Sequence, residues 1–225
     1  MGKRIVLGAA AILLVIAAAY ASFYVAPEER TMGVLQRIFY FHVSCAWAGM
    51  DAFFLCFIAN LLYVWKRDAK YDWLGVSAAE VGLVLTTVVL ITGPIWAKPA
   101  WGIYWTWDAR LTSTFVLWLL YVSYLLLRTL IEEAERRALL SALFGIFAFI
   151  DVPLVFFSIR WWRTQHPAPV IMGSPGSGLD PTMNKVFLFS VFAMHVFAAF
   201  LIVERYVLEK LRSEVDLLRR EVEAQ

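Results

Sequence analysis

Residues 74–96 read LGVSAAEVGLVLTTVVLITGPIW, and this stretch decides the fold class. Its apolar residues run on continuously, whereas a half-buried strand or an outer-membrane barrel strand alternates apolar with polar. Glu80 is its one ionisable residue. About 20 mostly apolar residues suffice for a helix to cross a bilayer. An extended strand there would leave its backbone N–H and C=O groups unpaired in lipid, so the stretch reads as a helix. Blocks of the same kind lie on either side: about Ile5–Val25 and Val43–Trp65 before it, the latter open to a start one or two turns earlier, and about Leu111–Ile131, Ala138–Ile159 and Met183–Tyr206 after it. Composition agrees, with 61% hydrophobic residues and a mean hydropathy of +0.69. The expected fold is an all-α membrane protein, a bundle of six transmembrane helices surrounded by membrane lipid. A net charge of +2 without a large basic patch argues against a nucleic-acid partner.

Lys3, Arg4, Lys66, Arg67, Lys70, Arg128, Arg136 and Arg137 collect on one side of the expected bundle together with Lys210, Arg212, Arg219 and Arg220 of the tail. By the positive-inside rule that side is cytoplasmic, as are both termini. Three connections then face outward, at 26–42, 97–110 and 160–182. The N-terminal block has a basic start and small residues near Tyr20, as a cleaved signal peptide does. It continues through Phe23, Tyr24 and Val25, so a retained helix is the reading taken here. The chain divides into a transmembrane domain, 1–206, and a charged amphipathic tail helix, 207–225. In the tail Leu208, Leu211, Val215, Leu218 and Val222 recur at spacings of three and four, a short heptad seam. That seam suits a partner helix or the membrane surface equally. Cys45 and Cys56, 11 residues apart on one helix, stand about 16 Å apart at 1.5 Å per residue, too far for a disulfide.

The chain has three histidines. His42 ends the first outward connection, after Arg37-Ile38-Phe39-Tyr40-Phe41. His166 follows the fifth block, in Trp161-Trp162-Arg163-Thr164-Gln165-His166. Imidazole is a common axial ligand of haem iron, and two imidazoles from different segments can clamp one ring. Between them in sequence lies Trp101-Gly102-Ile103-Tyr104-Trp105-Thr106-Trp107-Asp108-Ala109-Arg110. If helical, this tryptophan-rich outer loop sets Trp101, Trp105 and Asp108 on one face. Tryptophans at a membrane interface also form the ordinary aromatic belt, so belt and flat binding platform both remain open. Arg37, Arg110, Arg160 and Arg163 suit bidentate pairing with carboxylates such as haem propionates.

The run from Trp101 to Thr112, ending Trp107-Asp108-Ala109-Arg110-Leu111-Thr112, resembles the tryptophan-rich signature of the haem-handling proteins. It is most similar to the CcmC branch of that family. Tyr40-Phe41-His42-Val43 is similar to the family's first outer histidine segment and Trp161–His166 to its second. The resemblance covers nearly the whole chain, including helix count and motif order. Ser44 stands where the family pattern carries proline, and Pro167 follows His166 directly. The resemblance implies non-covalent haem b held on the outer, periplasmic side of a bacterial inner membrane, with His42 and His166 as axial ligands. Trp101, Gly102, Trp105, Trp107, Asp108 and Arg110 take the motif roles, and Trp161, Trp162, Arg37 and Arg163 flank the site. It implies delivery to the haem chaperone CcmE during c-type cytochrome biogenesis. The implied partners are the CcmA/CcmB ATP-binding cassette transporter and the small subunit CcmD.

On this reading the chain is not an enzyme. It carries no phosphate loop, no zinc spacing and no nucleophile with a base. Two alternatives stand beside it. One is a haem lyase attaching haem directly to an apocytochrome. The other is a small secondary transporter using Asp51, Glu80, Asp151 and His195. Asp51 and Asp151 lie in spans and are expected to pair with outer arginines. His195 is expected to be a neutral, interhelically bonded residue. Pro153 is expected to kink the fifth block and Gly93-Pro94 to break the third. The run from Pro167 to Pro181 is expected to be a flexible loop that lets His166 engage the iron or leave it.

Overall fold

The computed structural model describes residues 2–167 and 178–223. Among them are six helical spans long and apolar enough to cross a membrane. Helix α1 is Gly2–Tyr20 and continues through a π-helical turn, Ala21–Val25; α2 is Ile38–Lys66, entered by a 3-10 turn at Val34–Arg37. Next come α3, Ala69–Trp101, and α4, Ala109–Leu130. The fifth span comprises α5, Ala134–Ala148, and α6, Asp151–Trp161; the sixth lies within α7, Pro181–Glu223. The order of spans agrees with the sequence, and the differences have local causes.

The third span does not break at Gly93-Pro94. It runs through both Pro94 and Pro99 to Trp101. Proline's fixed φ is helical, and membrane helices tolerate the missing hydrogen bond where neighbours pack against them. The fifth span does break. Pro153 has no N–H to give the Phe149 carbonyl, which accepts instead from Val152 N at 3.0 Å, while Ile150 N reaches only as far back as Phe147 O at 3.1 Å. These three-residue bonds mark the step between α5 and α6. Asp180 caps α7 by accepting from Thr182 N at 2.8 Å, and Pro181 fills the first position, where no N–H is needed. The tail seam is the unbroken continuation of α7.

The core is built on the α2–α3 pair, with residues of α4, α5, α6 and α7 packed against it. Gly82 lets α2 and α3 approach closely: a Cβ there would stand 2.5 Å from Phe53 Cε1. Phe53 has nowhere to retreat, because its ring stacks on Tyr121 with centroids 3.7 Å apart. Small residues at helix crossings are the usual device where lipid supplies no hydrophobic drive. Outward-facing Ile16, Phe54, Val84, Ile91, Phe147 and Phe192 are exposed, as lipid contact requires.

Four ion pairs tie charges of the spans together. Arg128 donates to both oxygens of Asp72 at 2.6 and 2.8 Å. Arg205 donates to both oxygens of Glu80, and Arg4 to Glu204. The Arg4–Glu204 pair places the start of α1 and residue 204 at one end of the bundle. Asp51 pairs with His195, at 2.9 Å from Nε2, and not with an arginine. Asp151 Oδ2 is buried without a hydrogen bond among the described residues. Both cysteines are buried free thiols.

Candidate functional site

His42 lies inside α2, in its second turn, and not at the end of a loop. The preceding aromatics are helical: Phe39 and Tyr40 are buried and pack with Phe187 of α7. His42, Ala46 and Met50 repeat at a spacing of four, so one stripe of α2 faces two adjoining cavities. His166, from the segment after α6, lines both cavities as well. The larger has a volume of about 960 Å³, at the upper end of the roughly 300–1,000 Å³ of ligand pockets. Trp96, Arg110 and Met32 also line both.

Each histidine is oriented by a bond from Nδ1. The Nδ1 of His42 lies 2.8 Å from Thr92 Oγ1. The Nδ1 of His166 lies 3.0 Å from the Pro167 carbonyl, so it carries the proton. Neither Nε2 has a hydrogen-bond partner among the described residues. Burial, reinforced by the Arg110 charge, lowers the pKa of His166 from 6.5 to about 4, so its free nitrogen is an unprotonated lone pair at neutral pH.

The tryptophan-rich segment is not helical after Trp101. Gly102 ends α3 in the left-handed region at φ 80°, its N–H returning to Lys98 O at 2.9 Å. Trp101 and Trp105 therefore reach the smaller cavity by different routes, one from the last residue of α3 and one from an irregular strap. Trp107 is exposed, with its ring against Trp105 at 5.6 Å. Trp161, Trp162 and Arg163 are exposed too. Gly102, Trp107, Trp161, Trp162, Arg163 and Arg37 are not among the described lining residues.

Asp108 is fully engaged. It caps α4, accepting from Arg110 N at 2.9 Å and Leu111 N at 3.1 Å. Its second oxygen accepts from Thr106 Oγ1 at 3.0 Å and from Gln165 N at 3.3 Å. One carboxylate thus joins the tryptophan strap, α4 and the segment carrying His166. Arg110 directs its guanidinium to the Val155 carbonyl at 2.5 Å. Arg37 Nε is buried without a hydrogen bond among the described residues. Arg160 lines the larger cavity.

Sequence reasoning missed Trp96 and Thr92. Their spacing of four on α3 puts both beside His42, and Trp96 packs edge-on to it at 5.9 Å. That periodicity was the available signal, but in an apolar span it looks like ordinary packing. The Nε1–H groups of Trp96 and Trp105 are buried beside the cavities without an acceptor among the described residues. Asp51, Glu80, Asp151 and His195 line neither of these cavities. Of the run from Pro167 to Pro181 expected to be a flexible loop, residues 168–177 lie outside the described residues.

Fold and site together define a class: a polytopic α-helical membrane protein with two imidazoles and a tryptophan-walled cavity at one end of its bundle. The chain belongs to the family described as Heme exporter protein C, whose profile matches residues 3–223. It is 34% identical over 217 residues to the Heme exporter protein C of Bradyrhizobium diazoefficiens, covering 96% of this chain and 79% of that protein. It is 32% identical over 185 residues to the Escherichia coli K12 protein of the same name, covering 81% and 74%. A putative cytochrome c biosynthesis ccmC-like mitochondrial protein of Marchantia polymorpha is 32% identical over 180 residues, covering 80% and 75%.

Proposed function

We propose that this chain binds haem non-covalently as cargo between His42 and His166 and delivers it for cytochrome c maturation. One observation carries the reading: two histidines from distant segments line the same cavities, each with Nδ1 engaged and Nε2 without a hydrogen bond among the described residues. Haem iron takes two axial nitrogens of this kind. The cavity residues fit the rest of the molecule. Tryptophan and methionine walls suit the porphyrin face. The orphaned indole N–H groups of Trp96 and Trp105, with Arg110 and Arg160, suit acceptors such as propionates.

The protein supplies ligands, orientation and dryness, and the iron supplies its own chemistry. Asp108 acts through position, since it ties the His166 segment to the strap that carries Trp105. The site lies on the periplasmic side of the inner membrane, opposite the basic connections. The receiver is the chaperone CcmE, with the CcmA/CcmB transporter and CcmD as associated partners. No attachment chemistry is assigned to the chain itself.

The test is haem content after purification in detergent. His42→Ala and His166→Ala each lose most of the bound haem. Full retention in both single variants overturns the axial assignment.

A further inference from the structure

We propose that Thr92 is a positioning residue that sets which nitrogen of His42 faces the cargo. The inference rests on the haem reading for its purpose, though its geometric half stands without it. Thr92 Oγ1 lies 2.7 Å from the Val88 carbonyl and 2.8 Å from His42 Nδ1. A carbonyl only accepts, and a hydroxyl has one proton to give. With that proton on Val88 O, Thr92 can only accept from His42, so Nδ1 carries the imidazole proton. In the reverse arrangement Thr92 donates to Nδ1, and two oxygens then face each other at 2.7 Å with no hydrogen between them. The first arrangement satisfies both contacts and the second only one.

The consequence reaches the cavity. With Nδ1 protonated, Nε2 is a lone pair, the form that binds a metal. Thr92 lines neither cavity, so it acts on cargo only through His42. His166 has its own acceptor, the Pro167 carbonyl, one residue away. The two ligands thus reach the same tautomer by separate means, one by a side chain of another helix and one by its own backbone. Metal-ligating histidines are usually fixed in this manner, and loss of the partner costs about 10–100-fold in metal affinity.

The experiment uses Thr92→Val, close in shape but without the hydroxyl, and Thr92→Ser, which restores it. Full-length protein in detergent micelles is labelled with ¹⁵N-histidine; three rings in the chain make assignment by single substitution practical. Without haem, His42 of the parent protein shows a protonated Nδ1 and an unprotonated Nε2. Thr92→Val mixes the two tautomers while His166 stays unchanged, and Thr92→Ser restores the parent pattern. Titration with haemin then shows about tenfold weaker binding in Thr92→Val and recovery in Thr92→Ser. A protonated Nε2 on parent His42, or an unchanged tautomer in Thr92→Val, overturns the assignment. A tautomer change without an affinity change overturns the link to cargo. Absence of haemin binding by the parent protein refutes the haem reading and leaves the tautomer result to stand or fall by itself.

Discussion

Replacing Asp108 separates a structural tether from a direct contact with cargo. Asp108→Ala removes four accepted hydrogen bonds, two from the first turn of α4 and one each from Thr106 and Gln165. Loss of a helix N-cap costs typically ~1 kcal/mol. The Thr106 bond adds about 1 kcal/mol, and the longer, exposed Gln165 bond less. The total of about 2 kcal/mol corresponds to a fall in melting temperature of roughly 4–8 °C for a chain of this size. Asparagine caps a helix as well as aspartate. Asp108→Asn keeps the cap through its oxygen, and its amide N–H donates to the Thr106 hydroxyl in place of accepting from it, but the amide nitrogen cannot accept from the Gln165 N–H. Stability and haem affinity therefore part company. Asp108→Asn melts near the parent temperature yet binds haemin about as weakly as Asp108→Ala, since both release the His166 segment. Thermal melting and haemin titration on the same preparations read both quantities. Parent-like affinity in both variants refutes the tether, and equal destabilisation in both refutes the cap.

Three further outcomes follow from the geometry. His166 titrates at about 4 instead of 6.5. Haemin affinity should therefore stay level as pH falls from 8 to about 5, whereas a decline centred on the ordinary histidine value contradicts the burial argument. Between those two pKa values the unfolded chain binds the extra proton, so the stability His166 permits is complete above 6.5 and lost toward pH 4. Arg128→Met strands a buried Asp72 carboxylate, whose side chain is 11% exposed, and should cost about 3–5 kcal/mol in unfolding assays. Adding Asp72→Leu should recover most of that loss; no recovery contradicts the pairing. His195→Leu leaves Asp51, 71% exposed and within an apolar span, without its partner, at about 2.5–3.5 kcal/mol for the charge in lipid. Its yield in membranes should fall below that of the double variant with Asp51→Leu, and equal yields would contradict the pair's role.

The spans were legible because lipid imposes one rule on every residue of a block, and continuous apolar runs record it. The helix ends were less so. His42 sits behind three aromatics that read equally as interface or helix, and only packing of Phe39 and Tyr40 on Phe187 decides for helix. Pro153 disturbed its helix and Pro94 did not, since the outcome depends on neighbours that a single sequence does not display. In the site, His42, His166, Trp101, Trp105 and Arg110 were legible as rare residue types in a motif. Trp107 in the irregular strap and Trp161 and Trp162 at the end of α6 belong to the same aromatic pattern, yet they are exposed, because neither a strap nor a helix end shows in its spacing which way a side chain faces. Asp108 stood out as a charge among tryptophans, but its cap and tether roles required coordinates. Thr92 offered only its spacing of four from Trp96, which reads as ordinary packing when the partner lies 50 positions away.

The low-temperature electron paramagnetic resonance spectrum of the haem-loaded ferric protein tests the axial pair most directly. Two imidazoles on one iron give a low-spin signal of bis-histidine type that collapses when either residue 42 or residue 166 becomes alanine. A high-spin, five-coordinate signal in the parent protein, or a low-spin signal that survives both substitutions, contradicts the account.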